Sequence, residues 1–199
     1  MKNYGLNLEL EKQQQSAEDW VFGASSTPCI AMIPPEEREG CLPTGEVQRG
    51  AEDMVDCASR APVNIIETKL NWLISTRKLS LATTSWLSEK GYLNAEGFVE
   101  LSDAFVAINS GTTKQGNSLK APLDAIRKNG MVPKRKLPLE KWMTWDDYHD
   151  PKRITPEMIY LGQEFMLRIP INYERVFEAD FEKLLGEDML DVAGYAWPS

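Results

Sequence analysis

Residues 57–74 read Cys57-Ala58-Ser59-Arg60-Ala61-Pro62-Val63-Asn64-Ile65-Ile66-Glu67-Thr68-Lys69-Leu70-Asn71-Trp72-Leu73-Ile74. Apolar side chains fall at 62/63, 66, 70, 73 and 74, the spacing of one helical face. Ile65 and Trp72 widen that stripe, so the pattern predicts a helix buried over most of its surface. Pro62 fits only a first turn, where its missing N–H costs nothing, so the start is expected between Cys57 and Pro62. A thiol at that end sits in the positive field of the helix dipole, which lowers its pKa and favours the nucleophilic thiolate.

Upstream, residues 24–50 carry Pro28, Pro34, Pro35, Gly40, Pro43, Gly45 and Gly50, a density that forbids long helices and predicts a turn-rich surface segment. Gln48-Arg49-Gly50 lies in it. A Gln amide can donate to a developing oxyanion, and a Gly lets the backbone approach closely. The first 19 residues read as an extended polar arm with a short strand at Leu6 to Leu10. Downstream, Ser102 is placed to cap a helix over Asp103 to Ile108, and Asn117 or Ser118 to cap another over Leu119 to Asn129, with Gly130 as its left-handed stop. Residues 134–154 read as a surface excursion. Thr155-Pro156-Glu157 opens a helix to about Leu167. Phe177 to Leu185 reads as a shorter helix and Met189 to Trp197 as a strand. Helices in the middle with strands at the two ends predict an α+β fold.

Composition narrows the function. The 199 residues include 22 Lys and Arg against 30 Asp and Glu, a net charge of −8, with 42% hydrophobic and 26% charged residues. This is an ordinary globular composition, and the acidic balance argues against nucleic-acid binding, which wants a basic stripe. No apolar run approaches a membrane span, and the first residues do not form a signal peptide, so a cytosolic setting is expected. The three cysteines, Cys29, Cys41 and Cys57, are an odd number and match no zinc spacing; Cys29 and Cys41 read as unreactive. The single histidine, His149, excludes sites with several His ligands and reads as a solvated loop residue, charged by its acidic neighbours. Asp146, Asp147 and Asp150 lack the spacing of an EF-hand loop. Trp20, Phe22, Trp72, Phe105 and Trp142 read as core, and Lys134-Arg135-Lys136 as a solvated face. No metal and no cofactor is expected.

The chain resembles the papain-like cysteine peptidases, including divergent phage-type members. The resemblance rests on Val47-Gln48-Arg49-Gly50 before Asp56-Cys57-Ala58-Ser59, on Ile66-Glu67 about ten residues past the cysteine, and on Leu101-Ser102. It continues through Gln115-Gly116-Asn117-Ser118, Ala125 to Pro133 and Leu137-Pro138, in the family's order across roughly residues 38–138. It implies a helical lobe with Cys57 as nucleophile, Gln48 as oxyanion donor, and Gly116 and Asn117 as the substrate-binding strand. It divides the chain into an N-terminal arm and lead-in (1–37), the helical lobe (38–138), and an excursion, helices and the start of an incomplete β lobe (139–199). The family's His and Asn lie about 130–150 residues past the Cys, a stretch of this chain without histidine, so the general base is expected to be absent from it. The partner implied is a peptide or protein substrate, with no nucleic acid and no membrane. The alternative is a non-catalytic structural or assembly protein on the same scaffold, virion-associated if viral. The negative charge of Asp56 beside the thiol favours that alternative.

Overall fold

The computed structural model describes residues 7–14, 33–43, 45 and 49–176. Among the described residues there are eight α-helices, α1 (Leu8–Gln14), α2 (Pro35–Arg38), α3 (Cys57–Ser75), α4 (Leu81–Lys90), α5 (Asp103–Asn109), α6 (Lys120–Asn129), α7 (Trp145–Tyr148) and α8 (Pro156–Arg168), and three short 3-10 turns at Glu39–Cys41, Lys134–Lys136 and Pro151–Arg153. The 19-residue α3 runs through the middle. It packs against α5, α6, α2 and the turn Glu39–Cys41, while α6 also packs against α8 and α1. The main core gathers Val63, Ile66 and Leu70 of α3 with Leu87, Tyr92, Phe105, Ile126, Met131, Met143, Tyr148 and Phe165. A smaller cluster of Ile33, Cys41 and Trp72 lies under the lead-in.

The predicted central helix is present, but it begins at Cys57 and carries Pro62 at its sixth residue. A proline there costs about 3 kcal/mol in an exposed helix. Here burial of the α3 stripe and long-range bonds from its polar side chains offset that cost. Glu67 Oε1 accepts the Leu101 N–H at 2.6 Å. Asn71 Oδ1 accepts the Val99 N–H at 2.7 Å, while its Nδ2 donates to the Cys41 carbonyl at 3.1 Å.

The expected α+β architecture is overturned. Among the described residues there is no β-strand, and extended segments meet only as isolated bridges: Arg49 with Asp53, Leu93 with Val99, Leu101 with Pro133 and Thr113 with Gly116. The expectation rested on strands at the two chain ends, of which the first is helix α1 and the second lies outside the described residues; in the middle, the Glu67 and Asn71 side chains take the Leu101 and Val99 amides. The strand read at Leu6 to Leu10 is also corrected. Asn7 Oδ1 caps the Leu10 N–H at 3.1 Å, and the strong helix formers of 8–14 continue as α1. The predicted helix Phe177 to Leu185 and strand Met189 to Trp197 lie outside the described residues.

Caps set most of the other boundaries. Ser102 Oγ accepts the Phe105 N–H at 3.2 Å and opens α5. Thr155 Oγ1 accepts the Met158 N–H at 3.3 Å ahead of Pro156 and opens α8. Helix α4 has no counterpart in the sequence reading, since it buries only Trp86 and Leu87 and shows no apolar stripe. Its signals are Ser80, which caps it, and Gly91 at φ 78°. The excursion read at 134–154 buries Leu137, Met143 and Tyr148. Trp72 and Phe105 are core residues as read, whereas Trp142 is 66% exposed.

The α6–α8 crossing rests on two glycines. A Cβ on Gly162 would stand 2.2 Å from the Asn129 carbonyl oxygen, and one on Gly130 (φ 70°) 1.7 Å from the Gly162 oxygen. Gly162→Ala in an exposed helix would gain about 1 kcal/mol. Here it is expected to lose about 2 kcal/mol by overpacking, read as a lower urea midpoint at unchanged slope.

Candidate functional site

The turn that delivers Cys57 is strained. Val55 has φ 55°, a left-handed conformation that a β-branched residue rarely adopts. Asp53 Oδ1 steadies it by accepting the Val55 N–H at 2.9 Å. Asp56 follows at the N-cap position, yet its carboxylate makes no capping bond. It turns inward and is fully buried. Its Oδ1 accepts Arg60 Nε at 2.9 Å, and its Oδ2 accepts the Tyr148 hydroxyl at 2.7 Å. Arg60 Nη1 reaches Asp103 Oδ2 on α5 at 3.1 Å. One guanidinium thus joins two buried carboxylates, and a phenol from α7 completes the set. Burial works against the Arg60 charge, but Asp103 and Asp56 outweigh it and hold the guanidinium more firmly protonated than usual. Burial, with Asp56 second, pushes the Tyr148 hydroxyl well above its ordinary value, so it remains a donor.

Cys57 is half-buried at the first position of α3. The helix end acts on it in the expected direction, since the amides of Ala58 and Cys57 favour the thiolate. Burial acts more strongly the other way, with Asp56 next and Asp53 adding to it, and the net result is a thiol pushed up. The expected dipole activation of Cys57 is therefore outweighed by desolvation and by the neighbouring carboxylates. A shallow groove of about 290 Å³ lined by Leu42, Pro43, Asn64, Ile65 and Thr68 runs along α3. Asn64 and Thr68 lie on the helical face of Cys57, two to three turns further along α3, and the thiol itself does not line the groove. Cys41 is buried, its thiol raised chiefly by desolvation.

His149 departs from its reading as a solvated, charged residue. It is 7% exposed. Its ring stacks on Trp145 at 4.1 Å and 19°, and meets Tyr148 edge-on at 4.9 Å. Nδ1 lies 3.0 Å from the Trp145 carbonyl, which can only accept, so Nδ1 carries the hydrogen. Nε2 is buried with no hydrogen-bond partner. Burial lowers the ring's pKa and outweighs the opposing pull of the Trp145 bond and of Asp56. His149 thus joins the Cys57 turn through the charge of Asp56, packed between two aromatic rings.

The other predicted site residues fall as follows. Gln48, like Cys29, Trp20 and Phe22, lies outside the described residues. Gly50 permits a close approach, but of the chain to itself: a Cβ there would stand 2.6 Å from the Met143 carbonyl oxygen. Gly116 (φ 94°) pairs with Thr113, and the buried Asn117 donates from Nδ2 to Ser110 Oγ at 2.9 Å and Thr112 Oγ1 at 3.1 Å. The acids flanking His149 are engaged: Asp146 with Lys114, Asp147 in a capping box with Thr144, and Asp150 with the Lys152 N–H. No group of three or more metal-ligating side chains occurs among the described residues. No helix there is long and apolar enough to cross a membrane. The sequence reading missed Arg60, Asp103 and Tyr148. The i,i+4 spacing of Asp56 and Arg60 was the one local signal for them. No protein-family model, curated protein or solved structure matches this chain.

Two outcomes follow. Arg60→Met leaves two buried carboxylates uncompensated and is expected to cost about 3–5 kcal/mol in urea unfolding. His149 is held neutral in the folded state, while the unfolded chain takes up a proton as pH falls through about 6.5. Its contribution to stability is complete above that pH and is lost below it, down to the lowered folded value. The urea midpoint of the wild type is expected to fall more steeply from pH 7.5 to 5 than that of His149→Asn, whose amide can keep the Trp145 bond. Parallel profiles for the two proteins would contradict the assignment.

Proposed function

We propose that this chain carries the nucleophilic part of a thiol hydrolase resembling the papain-like cysteine peptidases. The observation that carries the reading is Cys57, at the first residue of the central helix and on the same helical face as an open groove. Further support comes from the order of elements around it. Glu67, ten positions on, ties the helix to Leu101. Ser102 caps the next helix, and α6 stops at Gly130. In this reading the thiolate attacks a peptide carbonyl carbon; the C–S bond forms, the C–N bond breaks and the amine leaves with a proton. Water then hydrolyses the thioester and restores the thiol. Gln48 serves as oxyanion donor. The base comes from outside this chain, since His149 is packed between Trp145 and Tyr148 with its Nδ1 hydrogen committed to a carbonyl. The raised thiol favours a second reading, a non-catalytic structural or assembly protein.

A comparison of electrophiles separates the two. A peptidyl epoxide uses the groove as well as the thiol, whereas iodoacetamide uses the thiol alone. The hydrolase reading expects Cys57 to react with the peptidyl reagent well ahead of iodoacetamide, and ahead of Cys41, as read by mass spectrometry. Equal rates at Cys57 would sink it and leave the scaffold reading. With either reagent, the rate is expected to rise with pH into the alkaline range. Asp53→Asn, which removes one charge that raises the thiol while keeping an acceptor for the Val55 N–H, is expected to move that rise to lower pH.

A further inference from the structure

Helix α7 is only four residues long, yet it joins the 111–116 loop to the turn that delivers Cys57. The Trp145 N–H donates to Glu52 Oε1 at 3.0 Å, and the Tyr148 hydroxyl to Asp56 Oδ2 at 2.7 Å. Just ahead of α7, the Met143 carbonyl accepts the Ala51 N–H at 2.9 Å. From the 111–116 loop, Lys114 pairs with Asp146 at 2.9 Å and lies 5.1 Å over the Trp145 ring.

So short a helix does not hold itself in water. Beyond its capping box, α7 depends on the packing of Trp145, Tyr148 and His149. That packing carries an unmet polar atom. His149 is nine-tenths buried, and its Nε2 has no hydrogen-bond partner. The indole Nε1 of Trp145, in the ring stacked on it, is buried without one as well. With Nδ1 committed to the Trp145 carbonyl, a proton reaching His149 enters at Nε2. It creates a buried cationic N–H. Asp56 on α3 and Asp146 on α7 favour that charge, and Arg153 opposes it. Neither acid is free for it: Asp56 already accepts Arg60 and Tyr148, and Asp146 holds Lys114. Asp103 on α5 is bound to Arg60. Desolvation outweighs both acids.

We propose that α7 is an acid-released clasp: protonation of His149 at Nε2 opens it locally and parts the 111–116 loop from the turn that delivers Cys57, while the core around α3 stays folded. Opening brings the new N–H to water, which supplies the acceptor that the closed packing lacks. By linkage, the closed form is fully favoured above the free imidazole value of about 6.5. Below it, the opening equilibrium rises by up to about tenfold per pH unit, until the lowered value of the closed form is reached. The capping box does not share this transition, since its bonds to Thr144 hold the Asp147 carboxyl below the usual range. The clasp does not depend on the hydrolase reading.

Hydrogen exchange on the full chain tests the clasp. The Tyr148 and His149 amides donate to the Thr144 and Trp145 carbonyls, each at 3.0 Å. Corrected for the intrinsic pH dependence of exchange, their protection is expected to fall about tenfold from pH 7.5 to 5.5. It is expected to be indifferent to dilute urea, because a local opening exposes little surface. The Val99 and Leu101 amides, held by Asn71 and Glu67, are expected to lose protection in the same urea. In His149→Phe, which keeps a ring against Trp145 without a titrating nitrogen, the pH dependence at Tyr148 is expected to vanish. His149→Asn is expected to do the same and serves if the phenylalanine variant does not fold. Three results overturn the clasp: Tyr148 protection flat with pH in the wild type, a pH dependence kept in a folded variant, or a urea dependence as steep as that of Val99.

Discussion

The structure depends on the burial of one cation between two carboxylates. Arg60 holds Asp56 and Asp103, and Tyr148 donates to the remaining oxygen of Asp56. Buried charges are tolerated only when paired and hydrogen-bonded, so each partner fixes the others. The set binds three elements: α3 through Asp56 and Arg60, α5 through Asp103, and α7 through Tyr148. It also explains why the Asp56 side chain does not cap its own helix. The carboxylate is drawn inward to Arg60, and the exposed end of α3 is left to Cys57. The left-handed Val55 follows, because the chain must bend sharply to deliver one side chain inward and the next outward.

That arrangement also decides the state of the thiol. A helix end favours a thiolate, and the two amides at this end do so. Desolvation and the adjacent Asp56 charge prevail because both act at close range, whereas the dipole effect is modest at a partly exposed position. Burial first, and then the carboxylate that anchors the fold, therefore push the Cys57 thiol up. A thiol of this kind reacts as a nucleophile only once its proton has been removed.

How far the sequence disclosed this varies with the physics involved. The α3 stripe was legible because its apolar residues recur at helical spacing, and α5 and α8 because Ser102 and Thr155-Pro156 are local signals. Helix α4 was not, since only two of its residues are buried and its stability comes from caps and from Trp86 packing on Tyr92. The α+β expectation failed at the start of the chain because a short alternating run of leucines among helix formers suits a strand or a helix alike, and the Asn7 cap decides for α1. Cys57 could be singled out from its place before an apolar helix. Tyr148 could not, because its importance arises from a hydrogen bond to Asp56 some ninety residues away, nor could His149, since nothing local distinguishes a buried loop histidine from a solvated one.

The count of one histidine acquires a different meaning from this placement. The lone imidazole lies under the face of Trp145 and against the edge of Tyr148, close enough to Asp56 to feel its charge. Its two carbon-bound ring protons have no counterparts elsewhere in the chain, and aromatic ring currents displace them from free-histidine positions. Any event that lifts α7 from α3 changes that stack and that field at once. The protein therefore carries a native spectroscopic reporter, without label or substitution, at the joint where its buried charges meet the turn that presents Cys57.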